Sequence, residues 1–109
     1  MYEVKTYLTQ NGQDPYSAWV QDLADRQARA RVTVRVSRMT AGNFGDCKPV
    51  GGGVWEQRID WGAGYRVYYA QAGKRIILLL VGGDKRTQQS DIERARQYWN
   101  DWQQRSKRP

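Results

Sequence analysis

The 109-residue chain contains no histidine. That absence removes His-based nucleophilic triads, histidine acid–base pairs and His-ligated metal centres from the chemistry open to it. Cys47 is the one cysteine, so neither an intramolecular disulfide nor a cysteine metal cluster is possible. No thiolate-stabilising motif accompanies Cys47, which reads as a small inert side chain rather than a nucleophile. Long apolar runs are missing too. The longest, Ile76 to Val81, falls far short of the ~20 residues of a membrane span. Acidic residues are in deficit, 11 Asp and Glu against 18 Lys and Arg, a formal charge of +7. Such a surplus suits a polyanionic or acidic partner, and solubility alone would explain it equally well. Met1 to Lys5 reads as a strand rather than a secretory leader, so a cytoplasmic protein is expected.

What the chain does have is large core material. Apolar residues make up 39%, with five Trp and seven Tyr, enough for one self-sufficient domain over residues 1–109. Tyr2 and Val4 alternate with Glu3 and Lys5, as in a short strand. Asp14-Pro15 offers a helix cap and a first-turn proline. Tyr16, Trp19, Val20 and Leu23 then follow at helical spacing. Asp25 can cap a second helix reaching about Thr40, with Ala28, Val32, Val36 and Met39 as its apolar stripe. Val32 to Val36 also alternates like a strand, but the longer stripe decides for helix.

Gly42 to Gly53, with Pro49 inside, reads as connection and flexible turn. Alternation returns in Trp55 to Trp61 and in Tyr65 to Gln71, and Ile76 to Val81 reads as a strand covered on both faces. A last helix follows Gly82-Gly83, with Thr87 or Ser90 as cap and a Ser90–Glu93 capping-box spacing. Ile92, Ala95, Trp99 and Trp102 form its inner face, and residues 103–109 are expected to be a flexible basic tail. The order is β-α-α-β-β-β-α, an α+β arrangement.

The meander carries charges in strand positions. Glu56 and Arg58 share a face, and Arg66 lies within reach across the hairpin. Lys85 and Arg86 sit where the central strand ends and a helix begins, a place that favours anions. Together these residues make a basic site scaled to a phosphodiester, or a cross-strand salt bridge on a solvated face. Gly82-Gly83-Asp84-Lys85 lacks the spacing of a Walker loop. Arg31, Arg35 and Arg38 form a basic helix stripe, which is either a solvated face or a contact surface for RNA phosphates or an acidic protein segment.

Trp55-Glu56-Gln57-Arg58-Ile59, Gly64-Tyr65-Arg66-Val67-Tyr68-Tyr69 and Gly82-Gly83-Asp84-Lys85, followed by Thr87-Gln88, Asp91-Ile92 and Ala95, resemble the RelE/ParE toxin superfamily. Within it the string is most similar to the HigB-like addiction module killer proteins of type II toxin–antitoxin systems, over about Tyr2 to Trp102. The resemblance implies a RelE-like fold with a mainly antiparallel sheet, two N-terminal helices and a C-terminal helix. It also implies a metal- and cofactor-independent mRNA interferase that cleaves translated mRNA on the ribosome, the 2′-hydroxyl attacking the adjacent phosphate.

Carried over by position, Arg66 would stabilise charge on that phosphate, with Arg58 and Lys85 completing the catalytic cations. Glu56 stands where some relatives place a lysine, and is either a general base or an orienter of Arg66. Tyr98 is a possible acid. Arg86, Lys48, Arg31 and Arg35 would contact RNA. A helix-turn-helix antitoxin from an adjacent gene is the implied partner, with operator DNA touched only through the toxin–antitoxin complex. Two other functions share such a scaffold or charge: ParE-like inhibition of DNA gyrase, and non-catalytic nucleic-acid binding.

Overall fold

The computed structural model describes residues 1–107. Strand β1 (Glu3–Thr6) leads to helices α1 (Pro15–Gln21) and α2 (Arg26–Ser37), the latter extended by a 3₁₀ turn over Arg38–Ala41. Strands β2 (Asp46–Gly51), β3 (Val54–Ile59), β4 (Tyr65–Ala72) and β5 (Ile76–Asp84) follow, then a 3₁₀ turn at Lys85–Thr87 and helix α3 (Gln88–Ser106). The sheet order is β1-β5-β4-β3-β2, with β1 parallel to β5 and the other pairs antiparallel. This is the expected α+β architecture, with one strand more than the sequence announced. Asp46–Gly51, read as a connection, is β2. It is an edge strand, where Pro49 needs no ladder partner for its missing N–H, and its register shifts between Pro49 and Gly51.

Both N-terminal helices begin on carboxylate caps. Asp14 accepts from the Ser17 N–H at 2.9 Å, and Asp25 from the Gln27 N–H at 2.9 Å. The stripe Ala28, Val32, Val36 and Met39 is buried; its three- and four-residue spacing places all four side chains on one helix face, which decides for helix over the local alternation of Val32 to Val36. Helix α3 departs from the expected capping. Thr87 occupies the cap position, but its hydroxyl donates to Asp91 at 2.5 Å. Ser90 lies inside the first turn and bonds back to the Thr87 carbonyl, so no Ser90–Glu93 box forms. The helix also continues through the segment expected to be a tail, from 103 to Ser106, where Arg105 is held by Asp101 and by the Leu8 carbonyl. Arg108 and Pro109 lie outside the described residues.

The sheet is covered on both faces. On one, α3 packs Ala95, Trp99 and the half-buried Ile92 and Trp102 on Val54, Tyr68, Ala70, Leu78 and Leu80. On the other, α1 and α2 pack Tyr16, Val32, Val36 and Met39 on Ile59, Val67, Tyr69, Ile77 and Leu79. Each fully buried aliphatic side chain of this kind contributes roughly 1.5–3 kcal/mol. Gly82 and Gly83 let both helices close on the end of β5. A Cβ on Gly82 would fall within the Trp19 ring, and one on Gly83 would overlap the Asp91 carboxylate. The pair is demanded by packing, not by a phosphate loop.

Candidate functional site

The β3–β4 hairpin sets Arg58 directly opposite Arg66 in register, and Arg66 in turn faces Gly83 of β5. Two arginine side chains thus leave adjacent strand positions on the α3 face, at the end of the sheet where the 3₁₀ turn leaves β5. Arg58, Arg66 and Lys85 line one cavity of about 340 Å³ with Asp46, Ile59, Asp60, Gly64 and Tyr65. The three cations expected to act together are therefore neighbours. Lys85 forms no ion pair within 4.0 Å among the described residues. Arg58 is held by Asp46 at 3.0 Å. Asp46 comes from the strand that the sequence reading missed, and its presence in the cavity was missed with it.

Glu56 does not reach the cavity. It is 0% exposed, beneath the floor, and its Oε2 accepts from the Tyr68 hydroxyl at 3.1 Å and from Gln88 Nε2 at 2.9 Å. The same oxygen lies 3.8 Å from Arg66 Nε, an ion pair with no formed hydrogen bond. Burial, reinforced by the Glu56 carboxylate, pushes the Tyr68 phenol far above its ordinary range. The cluster holds unusual unused capacity: Glu56 Oε1, Arg66 Nε, Arg66 Nη1 and Arg58 Nε are all buried without a hydrogen-bond partner. Buried donors are rarely left so, and each costs on the order of 1–3 kcal/mol. Unused guanidinium donors beside an open cavity are what an anion would complete.

The remaining expected contacts scatter. Arg86 turns to Asp84 at 3.0 Å and lies outside the cavity lining; Asp84 also accepts from the Arg86 N–H at 2.8 Å, and these bonds hold its carboxyl below the usual range. Lys48 is exposed on β2, opposite Glu56 in register. Arg31 and Arg35 sit on the other layer of the fold. With Arg38, Gln27, Ala30 and Val34 they line a second cavity of about 390 Å³, which meets the first only at Ile59 and Asp60. The Arg31 guanidinium carbon sits over the Trp61 ring, 3.8 Å from its centroid. Tyr98 stacks on Tyr7 at 4.9 Å and lines a different cavity beside Trp19. The phenol that does line the cationic cavity is Tyr65, whose position just after Gly64 was the available signal.

No helix among the described residues is long and apolar enough to cross a membrane. Residues 19–100 match the family described as Phage derived protein Gp49-like. The chain is also 42% identical over 94 residues to a Haemophilus influenzae protein named only as uncharacterized, across 86% of this chain and 89% of that one. The matched span holds the cationic cavity, the buried carboxylate beneath it and both packing glycines. The chain belongs to the Gp49-like family, a toxin-like family of the RelE/HigB type associated with toxin–antitoxin modules.

Proposed function

We propose that this chain is the toxin of a type II toxin–antitoxin module and acts as a ribosome-dependent mRNA endonuclease of the HigB-like kind. One observation carries the reading: Arg58, Arg66 and Lys85 converge on a single cavity while guanidinium nitrogens of both arginines stay buried and unpartnered. In the proposed reaction the ribose 2′-oxygen attacks the neighbouring phosphorus and the bond to the 5′-oxygen breaks. The products are a 2′,3′-cyclic phosphate and a 5′-hydroxyl. Negative charge grows on the non-bridging oxygens, and fixed cations placed for that charge stabilise the transition state more than the ground state. Asp46 occupies Arg58 in the free protein, so RNA phosphate displaces Asp46 as it binds. Proton transfer falls to the groups that face the cavity, Asp60 and Tyr65, because Glu56 is sealed away from it.

The partners follow from the same reading: mRNA on the ribosome, and a helix-turn-helix antitoxin encoded nearby that brings the complex to operator DNA. Purified protein added to programmed ribosomes should cleave the message, and Arg66→Ala should lower cleavage by about 10²–10³-fold while leaving the fold and antitoxin binding intact. Intact message on those ribosomes together with blocked supercoiling by DNA gyrase would overturn the nuclease reading in favour of gyrase inhibition.

A further inference from the structure

The carboxylate beneath the cavity has a role that the cations alone do not explain. Glu56 is fully buried, yet it is bound by groups from two different elements: Tyr68 of β4 and Gln88 at the start of α3, with Arg66 of β4 close by. Its Oε2 carries both hydrogen bonds, and its Oε1 has no partner. Arg66 Nε and Nη1 are equally without partners. A buried carboxylate and a buried guanidinium 3.8 Å apart, each with unused capacity, are an ion pair short of its hydrogen-bonded geometry. Two charges taken out of water repay their desolvation only when those bonds form.

We propose that Glu56 is the positioning residue of the site. It anchors Arg66 by its Nε edge, with Tyr68 and Gln88 fixing the carboxylate, while Arg66 still lines the cavity. When a phosphodiester engages Arg66, the guanidinium is held between two anions and the Glu56–Arg66 contact shortens to a hydrogen bond. Gln88 follows Lys85 by three residues, across the 3₁₀ turn, so the same carboxylate also ties down the segment that supplies the third cation. This inference rests on the nuclease reading for its kinetic consequence, but the anchor itself is independent of it. It assigns Glu56 no proton transfer: with no exposure to the cavity, it cannot take a proton from a ribose hydroxyl.

The test has two readouts. With a non-cleavable RNA bound, the Arg66 Nε–H should be protected from solvent exchange in nitrogen–proton spectra, and Glu56→Gln should reduce that protection at least tenfold. Unchanged protection overturns the anchor, whatever the protein cleaves. On programmed ribosomes, Glu56→Gln should lower the single-turnover cleavage rate tens-fold, with half-saturation within about twofold and the shape of the pH–rate profile unaltered. In an Arg66→Ala background, adding Glu56→Gln should cost nothing further, as expected of coupled residues. Additive losses, or a pH–rate limb that disappears in Glu56→Gln, would instead make Glu56 an independent acid–base group and overturn the proposal. If Glu56→Gln does not fold, Gln88→Ala, a half-buried site, replaces it; it should give a smaller rate loss that also vanishes without Arg66, and a full wild-type rate counts against the anchor. Full activity in Arg66→Ala alone would overturn the proposed function and leave the spectroscopic result standing.

Discussion

The two faces of the sheet treat arginine in opposite ways. On the α3 face, Arg66 is 9% exposed and fixed by strand register beside Arg58, over a carboxylate with no exposure at all. On the α1/α2 face the core is aliphatic and aromatic, and the cations are sent to the outside of α2, where Arg31 and Arg38 are exposed and Arg35 half-buried. None of those three makes an ion pair within 4.0 Å among the described residues. Charge in a strand is constrained by its neighbours and costs desolvation, whereas charge on an outer helix face costs little and is held loosely. The lesson is that the number of arginines says less than the element carrying them.

The largest effect should separate the faces by function. Arg66→Ala is expected to lower mRNA cleavage by about 10²–10³-fold, the usual cost of one preorganised charge, while Arg35→Ala changes it by less than tenfold; cleavage assays on programmed ribosomes compare the two. Next comes stability. Glu56→Leu strands Arg66 as an uncompensated buried cation and should cost about 3–5 kcal/mol. Arg38→Ala should stay within about 0.5 kcal/mol of wild type, and Arg31→Ala, which loses its contact with the Trp61 ring, within about 1 kcal/mol. Denaturant midpoints decide this, and equal losses on both faces would erase the distinction.

Gly83→Ala forces a methyl group onto the Asp91 carboxylate, and Gly82→Ala forces one into Trp19. Each should cost about 1–3 kcal/mol, visible as a lower melting temperature. Asp46→Asn releases Arg58 from its partner and should tighten binding of a non-cleavable RNA a few-fold at low salt. The gain should shrink as salt rises, because binding to phosphate depends on counterion release; titrations at two ionic strengths test both parts.

The smallest effect concerns pH. The Tyr7 hydroxyl bond, then Gln10 and Arg105, hold the Asp101 carboxyl below its ordinary range. A depressed folded value means that its stabilisation is present above the unfolded carboxylate range and is lost as pH falls through the folded value. Asp101→Asn should therefore lower stability at neutral pH and narrow the gap to wild type in acid. Asp91 runs the other way. Burial raises it, so its contribution is full below the unfolded value and declines as pH rises through the folded one. Stability-versus-pH curves of the two Asn variants should differ in sign.

Much of the fold was legible in the chain because local chemistry agreed with it. Asp14-Pro15 and Asp25 cap the helices they announce, and Ala28 to Met39 is the buried stripe that its spacing describes. Strand β2 was illegible because Pro49 and the neighbouring glycines are the usual marks of a turn, and only pairing with β3 makes the segment a strand. Thr87 is one of the two caps read for α3 and holds that position, but the Ser90–Glu93 box does not form, and the Thr87 hydroxyl is drawn to the buried Asp91, a contact no local pattern encodes.

By itself the sequence determined the layer architecture, the exclusion of histidine chemistry and the three cations worth testing. Periodicity, capping and composition act within a few residues, and those properties are written locally. Tertiary structure alone decided that Arg58 and Arg66 are register partners, that Asp46 holds one of them and that Glu56 is sealed beneath the other. It also decided that the arginines of α2 belong to the other face. These depend on strand register and on desolvation by distant side chains, which are long-range quantities that no stretch of sequence contains.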